Sequence, residues 1–186
     1  MKCLILAGGK SKRFGEDKLL YEFKGKKVVE RVVETAKEVC EEVFIVTKDP
    51  KKFEFLKIPI LLDLSNVYAS MVGLYTALSY AKEPALVLSG DLPLINSGVL
   101  KKLASSYEEP ITLAKTKDKI HPLVAVYSPK VLKVIEEFLE KGNYKLYELV
   151  NKVGFKAVEF EGKEALSLLN LNTKEDLKIL ESLEIN

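Results

Sequence analysis

Hydrophobic positions along this chain follow two alternating patterns. Short continuous apolar runs occupy residues 2–7, 43–47, 58–62, 85–89, 111–114 and 123–127. Each is too short for a helix and rich in Val, Leu or Ile, as expected of strands buried on both faces. Between them the apolar period becomes helical. Val28, Val29, Val32, Val33, Ala36, Val39 and Cys40 form one stripe, and 71–81 and 99–107 carry two more. Pro129 after Ser128 opens a further helix to about residue 141, with proline in the first helical position. Thr173-x-x-Asp176 reads as a capping box, Asp replacing Glu, for a last helix over 173–183. Buried strands alternating with helices predict a mostly parallel sheet covered on both faces. With no repeat, linker or low-complexity stretch, residues 1–186 read as a single three-layer α/β/α domain.

The first apolar run breaks abruptly into chemistry. Leu6–Ala7 leads into Gly8–Gly9–Lys10–Ser11–Lys12–Arg13–Phe14–Gly15 and then Asp17–Lys18. Glycine lets backbone N–H groups approach an anion closely, and Lys or Arg supplies countercharge, so this loop suits a polyphosphate. It is not the common phosphate loop. Gly9–Lys10–Ser11 resembles its end, but Leu4 stands where its first glycine belongs, and no register satisfies G-x-G-x-x-G. The other reading is a solvated loop after an edge strand.

In such sheets ligands bind at the carboxyl ends of the strands. Gly8–Gly9, Asp63 and Ser89–Gly90–Asp91–Leu92–Pro93 all follow apolar runs and so collect there. An aspartate at a strand end is commonly a helix cap or turn former. Two of them facing a cationic loop point instead to a divalent cation between carboxylate and phosphate.

Composition narrows the partners. Twenty-nine Lys and Arg against 27 Asp and Glu give a net charge of +2, spread along the chain, with no nucleic-acid footprint. The charges are overwhelmingly Lys and Glu, with two arginines and no glutamine, a bias reported for hyperthermophile proteins. One of those arginines, Arg13, sits in the glycine loop. No apolar run approaches a membrane span, and Met1–Lys2 enters a strand directly rather than a signal peptide. Cys3 and Cys40 fall on apolar positions without any metal or redox spacing, as core residues of a reduced, cytoplasmic protein would.

Leu6-Ala7-Gly8-Gly9-x-Ser11-x-Arg13-Phe14-Gly15-x-Asp17-Lys18 resembles the L-A-G-G-x-S-x-R-M-G-x-D-K motif of the molybdenum cofactor guanylyltransferases, with Phe14 for methionine. Gly90-Asp91-Leu92-Pro93 resembles their C-D-x-P, with glycine for cysteine. Asp63 falls where their second nucleotide-contacting aspartate stands. Ala69-Ser70-Met71-Val72-Gly73 replaces their G-P-L-A-G and keeps only the last glycine. His121–Pro122 resembles their H-P, and Asn170-Leu171-Asn172-Thr173 their N-x-N-T. The resemblance implies a Rossmann-like nucleotide-binding fold and transfer of GMP from GTP to the phosphate of molybdopterin, releasing pyrophosphate.

It also implies roles. Leu6, Ala7, Gly8, Gly9, Lys18, Asp63 and Asp91 would bind nucleotide. Asp91 would hold Mg²⁺, while Lys18 and Arg13 would neutralise charge on the phosphates. Asn170, Asn172 and His121 would face the acceptor. The partners would be GTP and molybdopterin, with transient contacts to molybdoenzymes or other cofactor-synthesis proteins. Other readings remain open at this level. His121 could be a turn residue before a strand, and Asn170 and Asn172 an Asx-turn and helix cap. The polar run 115–119 could be a solvated loop or a lid. The activity could be a cytidylyltransferase or other small nucleotidyltransferase, or a nucleotide-binding adaptor without turnover.

Overall fold

The structure, a computed structural model, describes residues 1–8 and 17–183. A seven-stranded sheet runs through its middle, built from β1 (Lys2–Leu6), β4 (Glu42–Thr47), β5 (Ile60–Leu62), β6 (Ala85–Ser89), β7 (Ile111–Thr116), β8 (Lys119–Tyr127) and β9 (Lys156–Phe160). A separate small hairpin pairs β2 (Glu22–Phe23) with β3 (Lys26–Lys27). The order across the large sheet is β5-β4-β1-β6-β8-β7-β9. Only β8 runs against the others, because a tight turn at Lys117–Asp118 folds it back on β7. The expected mostly parallel α/β/α sheet is therefore present, with one antiparallel strand inside it.

Two-residue periodicity splits the core into two layers. Cys3 and Ile5 of β1 turn toward one face, where α1 (Val28–Lys37) and α3 (Ser97–Ser105) pack. Leu4 and Leu6 turn toward the other, covered by α2 (Ser70–Ala81), α4 (Leu132–Glu140) and α5 (Leu146–Val153). Burying both faces explains why these strands read as unbroken apolar runs. A short α6 (Gly162–Leu166) precedes α7 (Lys174–Leu183), whose Leu177 and Leu180 close a smaller cluster with Phe23, Val28 and Leu171. Among the described residues, no helix is long and apolar enough to cross a membrane.

Two local expectations change, and one strand was not expected. The polar run 115–119 is the tip of the β7–β8 hairpin, with Thr116 paired to Lys119, rather than a loop or lid. His121 and Pro122 lie inside β8 rather than before a strand. Strand β9 escapes the apolar pattern because it is an edge strand with one wet face: Val158 and Phe160 are buried, Ala157 and Glu159 exposed.

Candidate active site

The chain leaves β1 toward α1 and β4 on one side, and later returns through α2 to β6 on the other. That reversal of winding direction opens a crevice at the carboxyl ends of β1, β4 and β6. Backbone contacts hold its floor. Ala7 N–H donates to the Val46 carbonyl at 2.8 Å, and Gly90 N–H to the Leu6 carbonyl at 3.1 Å. The Thr47 hydroxyl donates to the Ala7 carbonyl at 3.1 Å. The end of β1 is thereby pinned on both sides just before Gly8 enters the cleft. A side chain at Gly90 would put Cβ 3.3 Å from that Leu6 carbonyl and 3.4 Å from Leu19 Cδ2, so the residue before Asp91 is closely confined.

A cavity of about 150 Å³ occupies this crevice, and its lining includes Gly8, Lys18, Lys48, Asp63, Ser89 and Asp91. Leu6 and Val46 supply apolar wall, and Ala69 and Ser70 bring the N-terminal end of α2 to its edge. An anion is favoured at such a helix end by the aligned peptide dipoles.

Asp91 is the best-anchored carboxylate in the cleft. It is 7% exposed and lies two residues beyond Ser89, the last residue of β6. Lys18 Nζ donates to its Oδ2 at 3.0 Å. The Ser89 hydroxyl and the Asn170 amide, the latter at 2.8 Å, both donate to Oδ1. Lys18 also donates to Asn172 Oδ1 at 3.0 Å. The two asparagines reach this pair because Leu171 N–H donates to the Asp91 carbonyl at 2.8 Å, laying the 170–172 segment across the strand end. Asp17 sets up Lys18 in turn: Oδ1 accepts the Leu19 N–H at 3.1 Å and Oδ2 accepts Lys52 Nζ at 3.0 Å. Both asparagine side chains thus meet at one place. That place is the Lys18–Asp91 pair. The last helix is capped by the Thr173-x-x-Asp176 box read from the sequence and not by the asparagines: Asp176 Oδ2 accepts the Asn172 and Thr173 N–H groups, each at 2.9 Å, and the Thr173 hydroxyl accepts the Asp176 N–H at 3.1 Å.

Asp63 stands at the other side of the cavity. It is 6% exposed and pairs with Lys48 Nζ at 3.0 Å. Its Oδ1 accepts the Ser65 N–H at 3.0 Å, and Lys48 also donates to the Ser65 carbonyl at 2.6 Å. Lys48 lies 5.4 Å from the centre of the Tyr68 ring. Lys48 was not singled out from the sequence, and Ser89 was placed at the strand end without a role of its own. Lys48 is one lysine among many, and its only local signal is its place directly after a buried strand.

His121 and Asn170 share a second, shallower cavity of about 170 Å³ with Tyr147 and Leu123, and Leu123 borders the first cavity as well. His121 Nε2 and the Thr116 hydroxyl lie 2.8 Å apart and share a hydrogen bond. Burial, helped by the charge of nearby Lys119, pulls the imidazole pKa down to about 4. At neutral pH this histidine is an uncharged hydrogen-bonding group and carries no countercharge for an anion.

Gly9 and Arg13, assigned to phosphates on sequence grounds, lie outside the described residues. Among the described residues, no group of three or more His, Cys, Asp or Glu side chains could enclose a metal ion. Asp91 nevertheless offers a buried hard oxygen donor. One carboxylate, with the remaining positions filled by phosphate and water, is the donor set suited to Mg²⁺ arriving with a polyphosphate. The cleft combines that carboxylate with Lys18 and a helix end, a constellation for handling phosphoryl groups by electrostatics.

Comparison with known proteins points the same way. The sequence pattern of the family described as MobA-like NTP transferase domain matches residues 3–156. A protein of Aquifex aeolicus named "probable molybdenum cofactor guanylyltransferase" is 54% identical over 183 residues, covering 98% of this chain and 90% of that protein. A molybdenum cofactor guanylyltransferase of Desulfosudis oleivorans is 31% identical, covering 96% and 93%. The crystal structure of molybdopterin-guanine dinucleotide biosynthesis protein A from Archaeoglobus fulgidus superposes with a TM-score of 0.84 at 26% identity, covering 98% of each chain.

Proposed function

The chain belongs to the family of MobA-like NTP transferase domains and is a nucleotidyltransferase, and from that premise we propose that it transfers GMP from GTP to the terminal phosphate of molybdopterin. The observation that carries the proposal is the buried Asp91 at the end of β6, gripped by Lys18 and Asn170 beside the opening of the glycine loop.

In the proposed reaction an oxygen of the acceptor phosphate attacks the α-phosphorus of GTP. The new acceptor-oxygen-to-phosphorus bond forms as the bond to the β-phosphate oxygen breaks, and pyrophosphate carries away the electron pair. The nucleophile is already an anion, so no side-chain base is required. The protein must hold two anions in line and offset the charge that develops between them. Lys18, which lies against Asp91 in the cleft, would neutralise phosphate oxygens. Asp91 is the residue that would hold Mg²⁺, which supplies Lewis-acid stabilisation of the phosphates when bound. Asn172 orients the Lys18 ammonium and Asn170 the Asp91 carboxylate, and in this reading the two asparagines would face the acceptor. Asp63 and Lys48 would bind the nucleoside at the far side of the same cavity.

The base and the turnover are tested separately. In a thermal-shift panel of GTP, CTP, ATP and UTP with Mg²⁺, GTP should give the largest rise. At a hundredfold excess over its dissociation constant it adds about 2.7 kcal/mol of apparent stability. A larger response to CTP would move the assignment to cytidylyl transfer. Pyrophosphate release from GTP, Mg²⁺ and molybdopterin separates an enzyme from an adaptor that binds without turnover.

A further inference from the structure

We propose that Ser89 is a positioning residue that divides the work of the Asp91 carboxylate: it commits Oδ1 to the protein and leaves Oδ2 as the oxygen that exchanges Lys18 for a divalent cation. The inference rests on the nucleotidyl-transfer reading above and deepens it by giving the two oxygens different roles.

The two sides of this carboxylate are built differently. Oδ1 accepts from two neutral donors on separate pieces of chain, the Ser89 hydroxyl and the Asn170 amide. Oδ2 accepts from the Lys18 ammonium. Neutral donors can remain in place when a dication approaches the same carboxylate. An ammonium cannot stay on the oxygen a dication takes, because like charges at that distance repel strongly. Lys18 is also the more accessible partner, at 19% against 9% for the Asp91 side chain, so the exchangeable bond faces the cleft.

The carboxylate torsion of an aspartate is broad, so the plane that aims Oδ2 into the cleft swings easily unless held. Ser89 can hold them because it is itself fixed: it is the last residue of β6 and pairs in register with Leu6 of β1. Turning the carboxylate plane away from this orientation would break the Ser89 and Asn170 bonds together. Nothing about Ser89 in the linear sequence separates it from an ordinary strand-end serine. Its role follows from sharing one oxygen with a residue 81 positions away.

The test is calorimetric GTP binding by the full chain across a Mg²⁺ titration, on wild type, Ser89→Ala and Ser89→Thr. For Ser89→Ala the Mg²⁺ concentration giving half-maximal enhancement of GTP affinity should rise about fivefold, the scale of one neutral hydrogen bond. Affinity without Mg²⁺ should stay within about twofold of wild type. Ser89→Thr, which keeps the hydroxyl, should behave as wild type. An unchanged Mg²⁺ dependence in Ser89→Ala would overturn the proposal, as would an equal loss of affinity with and without Mg²⁺, the mark of a purely structural role. Wild-type protein whose GTP affinity ignores Mg²⁺ would overturn the metal reading of Asp91 itself and this proposal with it.

Discussion

Lys18 has two jobs that a single substitution pulls apart. Without nucleotide it neutralises Asp91 across 3.0 Å, in a pair whose side chains are 19% and 9% exposed. With nucleotide, in the proposed reaction, it faces phosphate oxygens. Lys18→Ala removes both. A hydrogen bond to a charged group contributes about 1.5–3 kcal/mol. Asp91 keeps its Ser89 and Asn170 donors, and Lys18 is partly wet, so the expected loss of stability is at the lower end, about 1–2 kcal/mol. For a chain of this size that lowers Tm by roughly 3–6 °C. The missing countercharge should also let Mg²⁺ alone raise the Tm of the variant, since Asp91 then presents an unneutralised oxygen. Turnover should suffer more: kcat/KM falls by at least about tenfold, or roughly 1.4 kcal/mol of transition-state stabilisation. The partners touch, so their effects should not add, and Lys18→Ala with Asp91→Asn should be less unstable than the sum of the single variants. Calorimetry and pyrophosphate-release kinetics on the four proteins measure all of this. Wild-type Tm and wild-type kinetics in Lys18→Ala would refute the reasoning and make Lys18 an ordinary surface lysine.

Three further outcomes are expected. Asp91→Asn should fold but lose nearly all pyrophosphate release even at saturating Mg²⁺, because an amide is a poor ligand for a hard cation; a variant with most of the wild-type rate would remove Asp91 from the centre. Gly8→Ala should fold normally, since among the described residues nothing lies within 4 Å of the added Cβ and its backbone is not left-handed. Any loss of nucleotide affinity is then the methyl meeting ligand, and it should be larger for GTP than for CTP; equal losses by calorimetry would end the idea that Gly8 makes room for the base. His121 has a folded-state pKa of about 4, below its ordinary value near 6.5, so the unfolded chain binds the proton first. Its contribution to stability is present above about pH 6.5 and is lost as pH falls toward 4. His121→Asn should flatten the Tm-versus-pH slope in that window, and an imidazole that titrates near 6.5 by NMR would contradict the burial account.

The strands buried on both faces were legible directly, because burial leaves no polar positions to interrupt the pattern. The runs at 43–47 and 85–89 lie within β4 and β6 as structured, and the helix over 71–81 is α2 less its first residue. Strand ends were legible for the same reason, so Asp63 and Asp91 stood out where apolar runs stop. Strand direction was not legible: the same apolar run reads alike either way, and only the two-residue turn after β7 makes β8 antiparallel. Nor could a sequence reveal partners. Asp91 meets Lys18 across 73 positions and Asn170 across 79, and their meeting depends on β1 lying beside β6 and on Leu171 docking against the Asp91 carbonyl. The carboxylates were written in the local pattern. Which lysine neutralises each one, and which oxygen is held, is decided by tertiary packing, because hydrogen-bonded pairs form only between groups that the fold brings within about 3 Å of one another.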